Sequence, residues 1–445
     1  MILSMILIFI AGYFFIAMEH KLHINKSAFA LLMCGALWTI YALFARDANI
    51  SHELLDHLGD TCEILVFLIG AMTIVDLIDS LGGFSVITDH ITTHNKRKLL
   101  WLLSLITFFM SAVLDNMTTA IIMIMLLRRI ITEKRELWIF ASIIVIAANS
   151  GGAWSPIGDV TTIMLWMRGN VTSINLMQSL FIPCLASILI PTAIAVRSIG
   201  HEALPDASKL EKTAETNPEI RYPRLSRFIL VMGIAGLLFV PIFKSLTGLP
   251  PYMGMMISLG ALWVLTEIIY DHRPNIEESI KNRVSKVLKH IDMSTILFFL
   301  GILMSVGALQ SAGILANIAQ LLDNQMHEVF AINTIIGVFS SIIDNVPLVA
   351  ACMGMYPIAD AAAIAASADP AYLSAFVSDG VFWHLLTYCA GVGGSLLIIG
   401  SAAGVVAMGL ENIPFGWYFK KITGLAFVGY IAGIFIIWLE HTLLG

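Results

Sequence analysis

Two six-residue phrases, Ser111-Ala112-Val113-Leu114-Asp115-Asn116 and Ser340-Ser341-Ile342-Ile343-Asp344-Asn345, each lie deep inside an apolar run. A carboxylate at such a depth costs roughly 3 kcal/mol on insertion scales and above ~10 kcal/mol in simulation, so these groups must face protein or water rather than lipid. Their duplication points to one polar site assembled from two halves. A third polar stretch, Asn149-Ser150-Gly151-Gly152-Ala153-Trp154-Ser155-Pro156-Ile157-Gly158, runs into Asp159, Thr161 and Thr162, and a Gly-rich counterpart from Gly391 to Gly400 runs into Ser401. Carboxylates, amide carbonyls and hydroxyls are hard oxygen ligands suited to a small cation that has shed its water. Neither Lys nor Arg occurs within these polar stretches. An intramembrane acid without a counter-charge alternates between a proton and a metal cation, and one site with two competing ligands is the chemical core of antiport.

The residues expected to bind the cation or the proton are Asp115, Asn116, Thr118, Asn149, Ser150, Asp159, Thr161, Thr162, Asp344 and Asn345. Gly151, Gly152 and Gly158, mirrored by Gly393, Gly394 and Gly400, are expected to break the helices there and let backbone approach a ligand. Blander readings stand beside these. A lone Ser or Thr in a membrane helix usually bonds back to a carbonyl, and an Asp at a hairpin tip can simply cap a helix. His384 reads as a core histidine before a proton shuttle, and His90 with His94 as a solvated face before a pH sensor. Five cysteines without a CxxC pair indicate neither a zinc site nor a disulfide framework, and no cofactor is expected.

Hydrophobicity sets the elements that must position these groups. The 445 residues are 58% hydrophobic and 13% charged, with mean hydropathy +0.86, whereas soluble domains are about 25% charged. Apolar runs long enough to span a bilayer recur at 1–18, 28–45, 62–80, 176–196, 228–244, 251–270, 293–310 and 422–440. Between them, 98–130 and 328–357 are each two apolar runs meeting at an Asp-Asn phrase, and 137–167 and 381–408 are each interrupted by a Gly-rich stretch. The expected fold is an all-α polytopic membrane protein embedded in a lipid bilayer.

Basic residues decide the topology. Lys96, Arg97 and Lys98 precede the first Asp-Asn segment, and Arg128, Arg129, Lys134 and Arg135 follow it. A re-entrant hairpin keeps both clusters in the cytoplasm, as the positive-inside bias asks. Lys26 and the segment with Lys281, Arg283 and Lys286 then share that face, the acidic stretch 47–60 lies opposite, and both termini fall outside. Self-comparison matches Leu65–Gly70 with Ile296–Gly301 and Ser80-Leu81-Gly82 with Ser311-Ala312-Gly313. The chain therefore reads as two inverted-topology repeats, each of about five spans with one re-entrant hairpin and one broken helix. Residues 1–197 form the N-terminal repeat, 198–226 a cytoplasmic linker and 227–445 the inverted C-terminal repeat, while 274–290 reads as a surface helix or a solvated loop. Broken helices in such repeats place substrate near the bilayer midplane.

With the hairpin phrases and SGGAWSPIGDVTT over 150–162 in view, nearly the whole chain resembles the NhaD-type sodium/proton antiporters of the ion transporter superfamily. The resemblance implies exchange of cytoplasmic Na⁺ or Li⁺ for external H⁺ by alternating access in a bacterial inner membrane, with a homodimer as in related folds. Carried onto matching positions it implies roles for Asp115, Asn149, Asp159, Thr161, Thr162 and Asn345, with a Na⁺ site from Asp115, Asn149, Asp159, Thr162 and Asn345. Ser401 stands where the first half has Asp159, so cation binding should lean on the first half. The Asp-Asn tip is shared with arsenite permeases and dicarboxylate/sodium symporters, which leaves a sodium-coupled anion symporter or an arsenite-type permease as the alternative, although acids near the site would repel an anion. An enzyme is not expected: an intramembrane aspartyl protease needs GxGD, and here Pro156 replaces the first Gly before Gly158-Asp159. Nothing points to nucleic acid.

Overall fold

A computed structural model describes residues 1–18, 22, 24–45, 49–83, 93, 95–131, 133–199, 223–271, 284–289, 291–367 and 369–444. His90, His94, most of the linker and most of 274–290 lie outside the described residues. The first half of the chain runs through α1 (Ile2–Ala17), α2 (Lys26–Ala45), α3 (Ile50–Ser80), α4 (Lys96–Ser111), α5 (Asn116–Ile130), α6 (Lys134–Ala153), α7 (Val160–Met167) and α8 (Ser173–Ala195). The second runs through α9 (Pro223–Thr247), α10 (Pro251–Asp271), α11 (Val284–Val287), α12 (Met293–Ser311), α13 (Ile314–Met326), α14 (Val329–Ser340) and α15 (Asn345–Met355). It ends with α16 (Ala361–Ala366), α17 (Pro370–Ser374), α18 (Val381–Gly393), α19 (Ala402–Glu411), α20 (Phe415–Lys421) and α21 (Thr423–Leu444). Among the described residues, eight helices are long and apolar enough to cross a membrane.

Polar residues start the helices where the sequence changes from connector to apolar run. The Asn95 side chain accepts from the amides of Arg97 and Lys98 at the start of α4, Glu133 from those of Arg135 and Glu136 at α6, and Glu328 from those of Phe330 and Ala331 at α14. One expected boundary is corrected. Helix α3 begins at Ile50 rather than near 62, so much of the expected outer acidic loop is helical. The stretch 50–60 contains no proline and places Glu53 in the first turn, where a carboxylate suits the positive helix end.

The two broken helices form the centre. From Phe140 to Ala153 every residue of α6 is buried, as is every residue of α18 from Phe382 to Gly393, and a helix covered on all sides belongs in a core. They cross closely, since a Cβ added to Gly391 would lie 3.0 Å from that of Ala153. Helix α4 packs along α6 and α14 along α18, while α5 lies on α19 and α15 on α7, so each hairpin touches the broken helix of the other half. Helices α8 and α21 pack together behind this centre. Outside it, α1, α2, α3, α9, α10 and α12 make a second group, with α2 on α12 and α3 on both α10 and α12.

The hairpins are fixed by matching details. Ser111 Oγ donates to the Ala148 carbonyl at 2.6 Å, and Ser340 Oγ to the Ala390 carbonyl at 2.7 Å. A Cβ on Gly151 would sit 2.2 Å from the Phe108 oxygen, and one on Gly393 would sit 2.3 Å from the Gly337 oxygen. Only glycine permits that approach of backbone to backbone.

Candidate ion-binding site

Four helices begin near the middle of the molecule, each capped by one of the polar residues singled out above. Asp115 caps α5, accepting from Thr118 N at 2.8 Å and also from Thr118 Oγ1. Asp344 caps α15, accepting from Val346 N at 3.2 Å. Asp159 caps α7, its Oδ1 accepting from Thr161 N at 3.0 Å and from Thr161 Oγ1 at 2.9 Å. Ser401 caps α19, accepting from Gly404 N at 3.2 Å. An oxygen at each of these positions satisfies amides that a helix start leaves unpaired.

Asp159 is also where the two halves meet. Its Oδ2 accepts from Asn116 Nδ2 at 2.8 Å and from Asn345 Nδ2 at 3.3 Å, one amide from each hairpin tip. Asn116 Nδ2 also lies 3.1 Å from Asn149 Oδ1, and Asn149 Nδ2 donates to Ser395 Oγ at 2.9 Å and Ser401 Oγ at 2.8 Å. Asn116, Asn149, Asp159, Asn345, Ser395 and Ser401 are all buried. Among the described residues neither Asp115 nor Asp159 has an ion pair with Lys, Arg or His within 4.0 Å. On the helices that Asp115 and Asp159 begin, Thr119 Oγ1 and Thr162 Oγ1 are buried without a hydrogen-bond partner, as are atoms away from this cluster such as Thr192 Oγ1 and Asn333 Oδ1.

The other expected residues sit around this cluster in distinct roles. Half-buried Asp115 is engaged by the backbone amide and the hydroxyl of Thr118, not by the side-chain amides of Asn116 and Asn345. Ser150 faces α8, where Ser187 Oγ donates to it at 2.8 Å. Asp344 faces Lys26, whose Nζ is 3.7 Å from Asp344 Oδ2. His384 lies 3.9 Å from Asp379 and outside the cluster, with Nε2 lacking a hydrogen bond. Gly152 and Gly158 lie against each other, as do Gly394 and Gly400: an added Cβ would be 2.5 Å from the Gly158 oxygen in the first break and 3.0 Å from the Gly400 oxygen in the second. None of the six break glycines has a positive φ. Their smallness lets each break close on itself and on the hairpin. Lys26 reads in the sequence only as a marker of sidedness, while Thr119, Ser395 and Ser401 read as hydroxyls near the breaks that more often bond back to a carbonyl than contact an ion.

Two cavities lie on the helices that carry these residues, and the second is lined by two of the capping residues themselves. One of about 200 Å³ is lined by His57, Arg168, Met164 and Ala350, the last two on the helices that Asp159 and Asp344 begin. The other, about 130 Å³, is lined by Tyr13, Lys26, Phe298, Asp344 and Ser401.

A multi-pass helical bundle whose buried polar centre is made from helix starts suits a membrane transporter. A family model described as "Citrate transporter" matches residues 13–378. The chain is 44% identical to sodium/proton antiporter 1 of Arabidopsis thaliana over 99% of its own length and 73% of that protein's. It is 43% identical to sodium/proton antiporter 2 of the same plant over 97% of both chains, and 30% identical to the Na⁺/H⁺ antiporter NhaD of Vibrio cholerae over 96% of its own length and 90% of the relative's. The chain belongs to the NhaD-type sodium/proton antiporter family.

Proposed function

We propose that the protein exchanges cytoplasmic Na⁺ or Li⁺ for external H⁺ by alternating access, in a bacterial inner membrane. The observation that carries this reading is Asp159, a buried carboxylate held by amides from both hairpin tips and by neutral donors from its own helix. A dry site of this kind cannot keep a bare negative charge without a compensating cation. When the alkali cation enters, Asp159, Asn149 Oδ1 and the unpartnered hydroxyls of Thr119 and Thr162 supply hard oxygens, and the amides of Asn116 and Asn345 turn from donating to presenting oxygen. When it leaves, a proton takes its place on Asp159, with Asp115 and Asn345 shaping the field and the coordination around it. The names of the plant and bacterial relatives support sodium and protons as the exchanged ions. A central carboxylate weighs against anion uptake.

Opposite orientation of 1–197 and 227–445 is part of the same proposal, with 198–226 joining them in the cytoplasm. Contacts between helix ends support it. Arg97 donates to the Ile199 carbonyl, Ser226 to the Leu81 carbonyl, Ser27 to the Ser294 carbonyl and Arg128 to Glu411, all among ends assigned to the cytoplasmic face. Arg168 with Asp60, and Thr172 with Asp379, pair ends assigned to the outer face.

The test is the collapse of a preformed pH gradient in everted membrane vesicles. Adding Na⁺ is expected to alkalinise the lumen for the wild type, and Asp159→Asn, which cannot cycle a proton, is expected to remove this response while inserting normally. Exchange retained by Asp159→Asn overturns the assigned role, and a wild type silent to Na⁺ that takes up citrate in a Na⁺-dependent manner replaces antiport with symport.

A further inference from the structure

The second hairpin tip differs from the first in its electrical surroundings. Asp115 is engaged by the amide and hydroxyl of Thr118. At the matching position, Asp344 Oδ2 faces the Lys26 ammonium at 3.7 Å, and Lys26 Nζ also sits 4.2 Å from the centre of the Phe298 ring. The side chains are 30% and 22% exposed, so the pair is neither dry nor at the open surface. It lines the cavity of about 130 Å³ that also reaches Ser401, and Ser401 Oγ accepts from Asn149 in the central cluster at 2.8 Å. Lys26 opens α2 on the face assigned to the cytoplasm. A cation moving through this cavity toward Asn149 therefore passes an ion pair.

We propose that Lys26 and Asp344 form a charge-neutral gate that sets how strongly cytoplasmic cations are drawn to the site, with Asp344 acting on the approach to the cation instead of ligating it. This rests on the exchange reading above and deepens it. In the wild type the tethered ammonium offsets the Asp344 carboxylate, so this pair adds no net charge to the gate. Removing Lys26 leaves a net negative mouth that concentrates cations, and removing the Asp344 charge leaves a net positive mouth that repels them. Removing both restores neutrality. The cation–ring contact holds Lys26 over Phe298 and limits its escape to water.

The experiment measures the Na⁺ concentration giving half-maximal exchange in everted vesicles, where the cytoplasmic face is outside, normalised to the amount of antiporter in the membrane. Lys26→Met keeps most of the apolar stem and is expected to lower that concentration by about 3- to 10-fold, the range Coulomb's law gives for one charge within a Debye length at intermediate dielectric. Asp344→Asn is expected to raise it by a similar factor, and the double variant to return to within about 2-fold of the wild type. Lys26→Arg, which keeps the charge, is expected to stay within about 2-fold as well, which loss of packing alone would not produce. An unchanged value in Lys26→Met, shifts of the same sign in the two single variants, or a double variant as impaired as Asp344→Asn overturns the gate. A wild type without any Na⁺ response fails the exchange reading itself and is distinguishable from all of these.

Discussion

At the scale of single residues, the site is unequal because the hydrogen bonds reaching Asp159 are unequal. Asn116 contributes the 2.8 Å bond and also lies 3.1 Å from Asn149, whereas Asn345 contributes a single 3.3 Å bond. On the exchange reading both amides turn their oxygens to the entering cation, and Asn116, nearer to Asp159 and beside Asn149, is placed to be the stronger ligand. Asn116→Ala is therefore expected to raise the half-saturating Na⁺ concentration by about 10-fold, the loss of about 1.4 kcal/mol of binding, and Asn345→Ala by less. Ser401→Ala removes one of the two hydroxyls that orient Asn149 and is expected to have the smallest effect, since Ser395 Oγ remains at 2.9 Å. Vesicle titrations of the three variants check the order, and a larger effect from Asn345→Ala than from Asn116→Ala contradicts it. The identity of these residues is legible in sequence because an amide or an acid is costly in an apolar run. Their partners are not, because Lys26 meets Asp344, and Asn149 meets Ser401, only when segments hundreds of residues apart are packed together.

At the scale of elements, the fold depends on small residues that let the hairpins touch the broken helices. Ala in place of Gly151 drives a methyl to within 2.2 Å of the Phe108 oxygen, and Ala in place of Gly393 to within 2.3 Å of the Gly337 oxygen. The obstacle is backbone, which cannot swing aside as a side chain does, so each substitution is expected to cost about 1–3 kcal/mol by overpacking. Gly35→Ala on α2 is the control, with nothing within 4 Å of the new methyl. Thermal unfolding in detergent should show clear and similar losses for Gly151→Ala and Gly393→Ala and none for Gly35→Ala. A tolerated Gly151→Ala would mean that α4 and α6 are less tightly joined than described. The hairpins and breaks are readable in sequence because they interrupt long apolar runs with groups that lipid cannot solvate. The start of α3 is not, because Ile50 to Asp60 mixes apolar and acidic residues in a stretch equally suited to an outer loop. Nor is α13, whose buried Ile314, Leu315 and Ala319 occupy one side of a helix that is polar on the other.

At the scale of the molecule, the contacts divide into those inside the central body of hairpins, broken helices, α8 and α21, and those between that body and the group built on α1–α3, α9, α10 and α12. Arg128 with Glu411 is of the first kind: Nε lies 2.5 Å from Glu411 Oε1, the Arg128 side chain also donates to the Leu410 carbonyl, and Trp138 Nε1 holds the Glu411 carbonyl at 3.1 Å. Arg168 with Asp60 is of the second, at 2.7 Å between α7 and α3. If alternating access moves the central body as a unit, contacts of the first kind persist through the cycle and contribute to stability, while those of the second kind must break and re-form and so affect rate. Arg128→Ala leaves a carboxylate that is only 5% exposed without its partner. The cost should be about 2 kcal/mol, below the ~3–5 kcal/mol of a fully buried pair because Arg128 itself is partly in water, and the unfolding midpoint should fall by about 2–4 °C. Arg168→Gln breaks a pair whose side chains are 45% and 42% exposed, which is worth at most about 1 kcal/mol. It should leave the midpoint within about 1 °C, yet change maximal exchange by up to about 5-fold, because the same energy shifts the balance between the two access states. Paired measurements of unfolding and of Na⁺-driven proton movement decide it: loss of stability without change of rate in Arg168→Gln would place α3 and α7 in one rigid unit and remove this division of the molecule.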